Sequence, residues 1–398
     1  MPSLTADTDV AVIGAGPYGL SVAAHLSGHG VSHEIFGVPM DTWRSHMPAG
    51  LYLKSEGFAS NLSDPAGEHT LERYCAESGI EYGRIAVPIA LETFSGYGRW
   101  FQRRAVPELD TRLVGGLAAV DGGFELTLDD GETLRARRVV VATGVQPQAY
   151  TPPELDGLPA GAVVHTYDQP DPAVPGGRCL VLGAGQSALE AAALVRESGR
   201  DVVLAARRAG LEWLSRPGGR SRPLRKRLRY PESGLGEGRA QWAYSNLPLV
   251  FHRMWEGWRL EKARTVLGPA GAWWLRPRIE GEVEVRFRRT LVGARAADGE
   301  VVVSFQGPDG PEEIVTDQVV AGTGYRFDLD RLSFLGPELR ERIATVAGAP
   351  VLDRSFQSGA PGLYFVGHLA TPSFGPLMRF VFGTRFAAQR VTGRLAEK

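Results

Sequence analysis

Gly14-Ala-Gly-Pro-Tyr-Gly19 stands directly after an apolar run at residues 9–13 and directly before an alanine-rich amphipathic stretch. This order is typical of a strand, a tight turn and a helix in a Rossmann-like unit. Gly14 permits the tight turn, Gly16 lets a pyrophosphate approach the backbone, and Gly19 lets the helix pack against the strand. The helix N-terminus would then offer free N–H groups to that anion.

A second copy of this arrangement begins at Gly183. An apolar run at 179–182 leads into Gly183-Ala-Gly-Gln-Ser-Ala188, an alanine-rich stretch follows, and a further apolar run occupies 202–205. Each copy also has a later apolar run that ends in Thr-Gly, at Thr143 and at Thr323. One such turn is weak support in a chain with 50 glycines. Two turns in the same local context favour two dinucleotide-binding units.

The two turns predict different dinucleotides. Arg207 and Arg208 follow the run at 202–205, and an arginine pair at this point suits the 2′-phosphate of NADPH, a solvent-exposed surface pair being the alternative. The first unit is then expected to hold FAD. Its second strand, at 33–36, ends on Gly37, where a ribose-binding acidic residue is usual. The ribose could instead be bound by Asp41 or by a backbone group, and the sequence leaves both alternatives open. Glu34 is not assigned to this role.

The predicted fold is α/β, with two Rossmann-like dinucleotide-binding domains, the second inserted in the first. We expect residues 1–150 and 316–398 to form the FAD-binding domain and residues 151–315 to form the NADPH-binding domain. Two short apolar runs precede each Thr-Gly strand, with turn residues between them at 129–131 and at 308–310. These runs predict a β-meander in each unit.

Composition narrows the function classes. The chain has 398 residues, 43% of them apolar and 22% charged, which excludes a disordered chain and suffices for two or three domains. The net charge of −1 gives no overall field for nucleic acid or an anionic membrane. Cys75 and Cys179 are far apart, which argues against a disulfide framework, a zinc site and a dithiol redox centre. With no leader-like N-terminus and no apolar stretch of about 18 residues, we expect a cytoplasmic protein that binds no metal, membrane or nucleic acid.

Residues 210–280 differ in composition from both units. Six of the eight tryptophans lie there, and a basic run extends from Arg216 to Arg229. Large aromatic side chains supply rigid apolar area, so this stretch is predicted to be a substrate lid or pocket wall within the second unit. The basic run would attract an anionic substrate or the NADPH phosphate. Arginine and tryptophan also interleave in single-strand binders, but a neutral scaffold favours the substrate gate.

The chain resembles the class B flavin-dependent monooxygenases, a branch of the two-dinucleotide-binding-domain flavoproteins that includes flavin-containing, Baeyer–Villiger and N-hydroxylating enzymes. The resemblance lies in Trp43 and in segments 14–21, 141–144, 183–190, 323–325 and 362–367. Together with the glycine turns it implies FAD and NADPH as cofactors. The predicted cofactor contacts are Gly14, Gly16, Pro17, Tyr18, Gly19, Trp43, Thr143, Gly144, Gly183, Gly185, Gln186, Ser187, Arg207, Arg208, Gly324, Tyr325, Gly367 and His368.

The same resemblance selects candidate catalytic residues. Segment 40–65 is similar to the flavin-side loop of this branch, in which polar residues face the flavin ring, and this implies roles for Lys54 and Asn61, with Ser55 as a further candidate. Residues 161–165 have the glycine-to-histidine spacing of the branch fingerprint, which implies a role for His165, although Pro159 replaces an aromatic residue. A solvated loop and a linker histidine bonded to the backbone are the alternatives.

The resemblance implies a monooxygenase. In this hypothesis NADPH reduces FAD, dioxygen adds at C4a of the flavin, and the resulting (hydro)peroxyflavin oxygenates a small molecule at nitrogen or sulfur. The sequence lacks a nucleophile elbow, a triad and a paired-carboxylate motif, which fits because the flavin supplies the chemistry. The alternatives are an NAD(P)H-dependent flavin reductase that passes electrons to another acceptor without oxygenation, and a non-catalytic flavin-binding module. Substrate identity and oligomeric state stay open.

Overall fold

A computed structural model of the protein describes residues 6–168, 177–217 and 223–397. Part of the predicted basic run, residues 218–222, lies outside the described residues. The strands in chain order are β1 (Thr8–Ile13), β2 (His33–Phe36), β3 (Tyr52–Leu53), β4 (Ile89–Ala90), β5 (Val114–Val120), β6 (Gly123–Leu128), β7 (Thr133–Val141), β8 (Val163–His165), β9 (Arg178–Leu182), β10 (Asp201–Ala206), β11 (Glu232–Ser233), β12 (Gly236–Glu237), β13 (Glu284–Phe287), β14 (Thr290–Ala297), β15 (Glu300–Gly307), β16 (Gly310–Thr316), β17 (Gln318–Ala321), β18 (Thr345–Val346), β19 (Ala349–Pro350) and β20 (Leu363–Phe365).

Helices cover these strands and build most of the insertion. In chain order they are α1 (Pro17–Gly28), α2 (Asp41–Ser45), α3 (Leu71–Ser78), α4 (Leu91–Ala105), α5 (Gln186–Glu197), α6 (Leu224–Arg229), α7 (Arg239–Asn246), α8 (Pro248–His252), α9 (Glu256–Thr265), α10 (Arg276–Ile279), α11 (Pro337–Glu341), α12 (Thr371–Phe374) and α13 (Thr384–Ala396). Within the described ranges, no helix has both the length and the apolar character needed to cross a membrane.

The first glycine turn follows β1, at the carboxyl end of the strands of a parallel sheet. Strands β2, β1, β7 and β20 lie side by side in this sheet, all parallel. Each of these strands has consecutive buried residues that point to opposite faces, such as Ile35 and Phe36 in β2, as expected for strands covered on both faces. Along the edge away from β1, β7 has two partners: β20 lies beside its second half, and β6 pairs antiparallel with its first half. β6 in turn pairs with β5. This is the first predicted meander, and it is confirmed.

The second glycine turn stands at the edge of another parallel sheet, with the order β13-β10-β9-β17-β8. β14, β15 and β16 form the second predicted meander. The tryptophan-rich insertion occupies the chain between β10 and β13, which are neighbours in the sheet. It therefore interrupts the second unit just after its second strand, as predicted.

The predicted α/β fold with two Rossmann-like units is confirmed. The domain limits stay predictions, and one observation bears on them. β17 follows residue 316 but pairs with β9 in the second sheet, with Val319 opposite Leu180. A Thr-Gly strand packs beside the first strand of its own unit, so by strand pairing the chain returns to the first unit after Ala321.

Candidate functional site

The first glycine turn is closed at two positions and open at the third. Gly14 has a φ of +111°, and a Cβ there would lie 2.5 Å from the carbonyl oxygen of Ala142. A Cβ on Gly19 would lie 1.8 Å from the carbonyl oxygen of Gly14. A Cβ on Gly16 would have no heavy atom within 4 Å. The turn is therefore tight where helix and strand pack, and open where a pyrophosphate would approach the N-terminus of α1.

Tyr18 ties this turn to the C-terminal segment. Its hydroxyl donates to the carbonyl oxygen of Phe380 at 2.9 Å and lies 3.1 Å from that of Met378. Burial raises the pKa of this hydroxyl well above its usual range. A Cβ on Gly367 would come within 3.4 Å of the Tyr18 ring. Pro17, the first residue of α1, occupies a position where no N–H donor is needed.

Three further predicted contacts surround the same turn. Thr143 and Gly144 follow β7, the strand beside β1, and Gly144 has a φ of +71°. Trp43 lies on α2 and packs partly buried against the core. The Met40 N–H, just before α2, donates to the carbonyl oxygen of Ala15 at 3.0 Å. The backbone thus anchors the segment that carries Trp43 directly to the glycine turn.

The second turn repeats this geometry with one exchange. Gly183 has a φ of +130°, and a Cβ there would lie 2.3 Å from the carbonyl oxygen of Gly322. The third glycine is replaced by Ala188, which is fully buried. A Cβ on Gly322 would lie 2.4 Å from the Ala188 Cβ. The methyl group of Ala188 therefore has room because Gly322 carries none, and Gly324 then follows with a φ of +80°.

Residues 268–272 of the insertion, which we call the strap, cover the second turn. A Cβ on Gly185 would lie 3.4 Å from the Pro269 Cβ, whereas the equivalent position of the first turn, Gly16, is open. Three predicted site residues hold the strap through hydrogen bonds. These bonds run from Lys54 Nζ to the Ala270 carbonyl (2.8 Å), from the Ala272 N–H to Gln186 Oε1 (2.8 Å), and from Arg208 Nη1 to the Pro269 carbonyl (3.3 Å).

The two arginines that follow β10 differ in their partners. Besides the strap, Arg208 Nη1 contacts Glu212 Oε1 at 2.7 Å. Arg207 is exposed, and no ion pair joins it to any residue in the described part of the chain. Ser187, in the first turn of α5, is exposed as well. Arg207 and Ser187 are therefore accessible to phosphate groups, while Arg208 is engaged.

A buried polar cluster lies next to Lys54, and two of its members, Glu190 and Arg379, were not predicted from the sequence. Glu190, on α5, is 4% exposed, and burial raises the pKa of its carboxyl to about 7. Burial lowers the pKa of Lys54, and the nearby charge of Arg379 lowers it further. The charge of Glu190 acts in the opposite direction. Arg379 donates to the carbonyl oxygen of Val266. In the sequence, Glu190 and Arg379 each stand as a single charged residue within an apolar stretch. This pattern indicates a buried charge only when the stretch is known to lie in the core.

Asn61 and His165 are hydrogen-bonded to backbone groups. Asn61 Oδ1 accepts from the Leu71 N–H at 2.8 Å, and its Nδ2 donates to a neighbouring carbonyl at 3.2 Å. His165 Nδ1 accepts from the Tyr167 N–H, so its proton lies on Nε2, which donates to the Gly324 carbonyl, both at 3.1 Å. Burial lowers the pKa of His165. Both side chains hold backbone segments in place, and their catalytic roles stay predictions.

His368 has a free nitrogen at the carboxyl edge of the first sheet. Its side chain is 8% exposed, and its Nε2 has no hydrogen-bond partner among the residues that the structure describes. Burial, with a smaller contribution from Arg379, lowers the pKa of its imidazole to about 3. The ring lies 4.7 Å from that of Phe327, and Tyr325 lies edge-on at 6.3 Å. His368 is therefore neutral and available to hydrogen-bond a group bound beside β20.

A cavity of about 310 Å³ lies between the 54–58 segment and the insertion. Most of its wall is apolar, with Phe58, Trp273, Trp274 and Phe380 as the large aromatic members. Lys54 and Glu56 supply polar groups at one side. Burial raises the pKa of Glu56, whose carboxylate accepts from a backbone N–H. Size and lining suit a small molecule with an apolar body.

The residues present fit two dinucleotides. For FAD, Gly16 leaves the pyrophosphate approach open, and His368 offers a buried nitrogen that no described residue bonds. Gly37 lacks the usual ribose-binding carboxylate because it packs on the turn, where its Cβ would lie 3.3 Å from the Ala15 nitrogen. For NADPH, the unpaired guanidinium of Arg207 stands where a 2′-phosphate is recognised.

Comparison with known proteins gives partial matches in sequence and full-length matches in fold. A ferredoxin–NADP reductase of Gluconacetobacter diazotrophicus is 27% identical over 210 residues, 52% of this chain and 54% of that protein. The indole-3-pyruvate monooxygenase YUCCA1 of Oryza sativa subsp. japonica is 27% identical over 190 residues, 45% of this chain and 43% of that protein. The chain thus spans about half the length of the curated relatives it matches.

Solved structures match over 98% of this chain at low sequence identity, which shows a shared fold. An ornithine N-hydroxylase of Kutzneria sp. 744 has a TM-score of 0.78 at 15% identity, with 98% of that chain covered. A bacillithiol disulfide reductase of Staphylococcus aureus has a TM-score of 0.67 at 15% identity, also with 98% covered. The family model of the pyridine nucleotide-disulphide oxidoreductases matches residues 8–216, more than half of the chain. The chain therefore belongs to the pyridine nucleotide-disulphide oxidoreductase family.

Proposed function

We propose that the protein is an FAD- and NADPH-dependent monooxygenase that oxygenates a small molecule at nitrogen or sulfur. The observation that carries the proposal is the convergence of both units on one largely apolar cavity. Lys54 enters it from the flavin-side segment, Ala272 from the strap over the second turn, and Phe380 from the C-terminal segment. The full-length fold match to an ornithine N-hydroxylase supports this assignment.

Within this function the chain binds, orients and excludes water. The flavin, when bound, supplies hydride acceptance from NADPH and activation of dioxygen, which side chains do not provide. Trp273, Trp274 and Phe380 keep the cavity wall apolar, and this limits access of water to the substrate. Lys54 stays beside the cavity through its bond to the strap. Glu190, with its pKa raised to about 7, can hold or release a proton near neutral pH.

The cofactor roles of the turns are part of the proposal. The N-terminus of α1 would hold the FAD pyrophosphate, and that of α5 the NADPH pyrophosphate. The proposed location is cytoplasmic. Cys75 and Cys179 are free and buried, with pKa values raised by burial, and give no support to dithiol chemistry. The proposed partners are a small-molecule substrate and dioxygen.

The test is coupled turnover with labelled dioxygen. The purified flavoprotein is supplied with NADPH and a panel of amines and thioethers, and product mass and hydrogen peroxide are both measured. Incorporation of one labelled oxygen atom per NADPH consumed is the expected result with at least one substrate. NADPH oxidation that yields only peroxide with every member of the panel, in enzyme that reduces added acceptors efficiently, contradicts it.

A reductase is the second candidate because of the sequence relatives. Two ferredoxin–NADP reductases match at 27% and 30% identity over about half of the chain. In that case NADPH would reduce the flavin and electrons would leave to an external acceptor. Rapid anaerobic reduction of a one-electron acceptor, with no oxygen transfer to any amine or thioether, would favour this function.

A further inference from the structure

The turn after β13 brings another arginine to the second cofactor site. β13 pairs in parallel with β10, with Phe287 opposite Ala206. Because the carboxyl ends of parallel strands meet at one edge, Arg288 lies beside Arg207. The Arg288 N–H donates to the Arg208 carbonyl at 3.0 Å. At the same edge the Gly183 N–H donates to a carbonyl of β10 at 2.9 Å, so Arg288 and the second glycine turn share one end of the sheet.

The backbone of Arg288 adopts a conformation that arginine rarely takes. Its φ is +56°, in the left-handed region, where a Cβ is unfavourable. The next residue holds it there, because the Arg289 N–H donates to the Ala206 carbonyl at 3.0 Å and the Arg289 guanidinium pairs with Glu312. Strained residues that their surroundings hold in place concentrate at ligand sites.

Of the arginines at this edge of the sheet, Arg208 and Arg286 have carboxylate partners, whereas Arg207 and Arg288 differ from them. Arg208 contacts Glu212 and the strap, and Arg286 contacts Glu284. Arg288 is exposed like Arg207, and the described residues give neither of them an ion-pair partner. Two guanidinium groups at adjacent strand ends thus have no carboxylate partner among the residues that the structure describes.

We propose that Arg288, together with Arg207, binds the 2′-phosphate of NADPH and so determines the preference for NADPH over NADH. This inference rests on the proposed use of NADPH. A 2′-phosphate carries close to two negative charges and three acceptor oxygens, which suit two guanidinium groups. Arg208, which the sequence pairs with Arg207, instead holds the strap.

Calorimetric titration of the purified flavoprotein with nucleotide fragments tests the inference without turnover. The probes are adenosine 2′,5′-bisphosphate and 5′-AMP, which differ only in the 2′-phosphate. Arg288→Asn is the main variant because asparagine tolerates the left-handed conformation. It should weaken binding of the bisphosphate about tenfold or more, the range expected for a lost charge-assisted hydrogen bond, and leave 5′-AMP binding unchanged. Arg288→Lys, which keeps the charge, should retain part of the affinity.

Arg286→Gln is the matched control, because Arg286 lies on the same strand, is exposed and has its own carboxylate partner. It should change neither affinity. The inference is wrong if Arg288→Asn weakens the bisphosphate less than twofold, or weakens both probes equally. If the wild-type protein binds both probes with equal affinity, NADPH use as proposed fails together with this inference. Wild-type discrimination that survives in Arg288→Asn overturns the role of Arg288 alone.

Discussion

Replacing Gly16 with alanine should separate cofactor binding from folding. Gly16 has φ −81° and ψ −175°, which any residue adopts, and an added Cβ meets no heavy atom within 4 Å. Alanine at a helix N-cap costs up to about 1 kcal/mol relative to a good cap. Alanine also restricts the unfolded chain more than glycine does, and this lower unfolded-state entropy stabilises the folded state by about 0.4–1 kcal/mol. The free energy of unfolding of the apoprotein should therefore change by less than about 1 kcal/mol.

The effect on FAD should be much larger. The added methyl group occupies the space through which a pyrophosphate approaches the N-terminus of α1. Losing one to two charge-assisted hydrogen bonds amounts to about 3 kcal/mol, or roughly a hundredfold in Kd. Flavin titration followed by fluorescence gives the affinity, and urea unfolding of the apoprotein gives the stability.

Gly19→Ala is the matched comparison within the same turn. Its Cβ would lie 1.8 Å from the Gly14 carbonyl oxygen, so helix and strand must separate whether or not FAD is present. We expect a loss of several kcal/mol in the apoprotein or a failure to fold. The account of this turn is refuted if Gly16→Ala binds FAD within fivefold of the wild type, or if both substitutions destabilise the apoprotein equally.

Three further substitutions test the buried polar groups. Since burial raises the pKa of Glu190 to about 7, its ionisation lowers the free energy of unfolding as pH rises from about 4.5 to 8. Glu190→Gln should remove up to about 3 kcal/mol of this pH-dependent loss, measured by urea unfolding. Parallel pH profiles of variant and wild type would contradict this. Burial lowers the pKa of His368 to about 3, so its contribution to stability is present above pH 6.5 and is lost as the pH falls toward 3. In His368→Gln the free energy of unfolding should therefore decrease less between pH 7 and pH 4, as measured by urea midpoints. Asn61→Ala leaves the buried Leu71 N–H unpaired and should cost about 1–3 kcal/mol of unfolding free energy, whereas wild-type stability with lost turnover would indicate a catalytic role.

The features predicted correctly from sequence are those encoded locally. Each glycine turn carries its strand, its helix start and its packing requirement within about 15 residues, so the two units could be recognised without knowing what surrounds them. The meanders are likewise set by alternation and turn residues. The position of the insertion followed from a change of composition after 202–205, and the pairing of β10 with β13 bears it out.

Contacts between distant segments were not predictable in this way. Lys54 donates to the carbonyl of Ala270, which is 216 residues later, and this bond anchors the strap. The predicted flavin-side role of Lys54 stays a prediction. Arg207 and Arg208 are equivalent in the sequence. They differ in the structure because only Arg208 has Glu212 and the strap within reach. Local patterns specify which side chains are charged, and tertiary packing decides which charges are already paired.

The departures of the second turn from the usual motif illustrate the same limit. Taken position by position, Ala188 in place of a glycine and Gly322 in place of an alanine are two separate irregularities. In the first unit the pair is Gly19 and Ala142, and a Cβ on Gly19 would lie 3.4 Å from that of Ala142. In the second unit the methyl group sits on the helix and the strand end carries none. In the second unit a Cβ at both positions would place the two carbons 2.4 Å apart, so Ala188 requires the glycine at 322 and the two departures are one exchange. In the first unit the glycine at 19 is required instead by the Gly14 carbonyl oxygen, which would lie 1.8 Å from its Cβ.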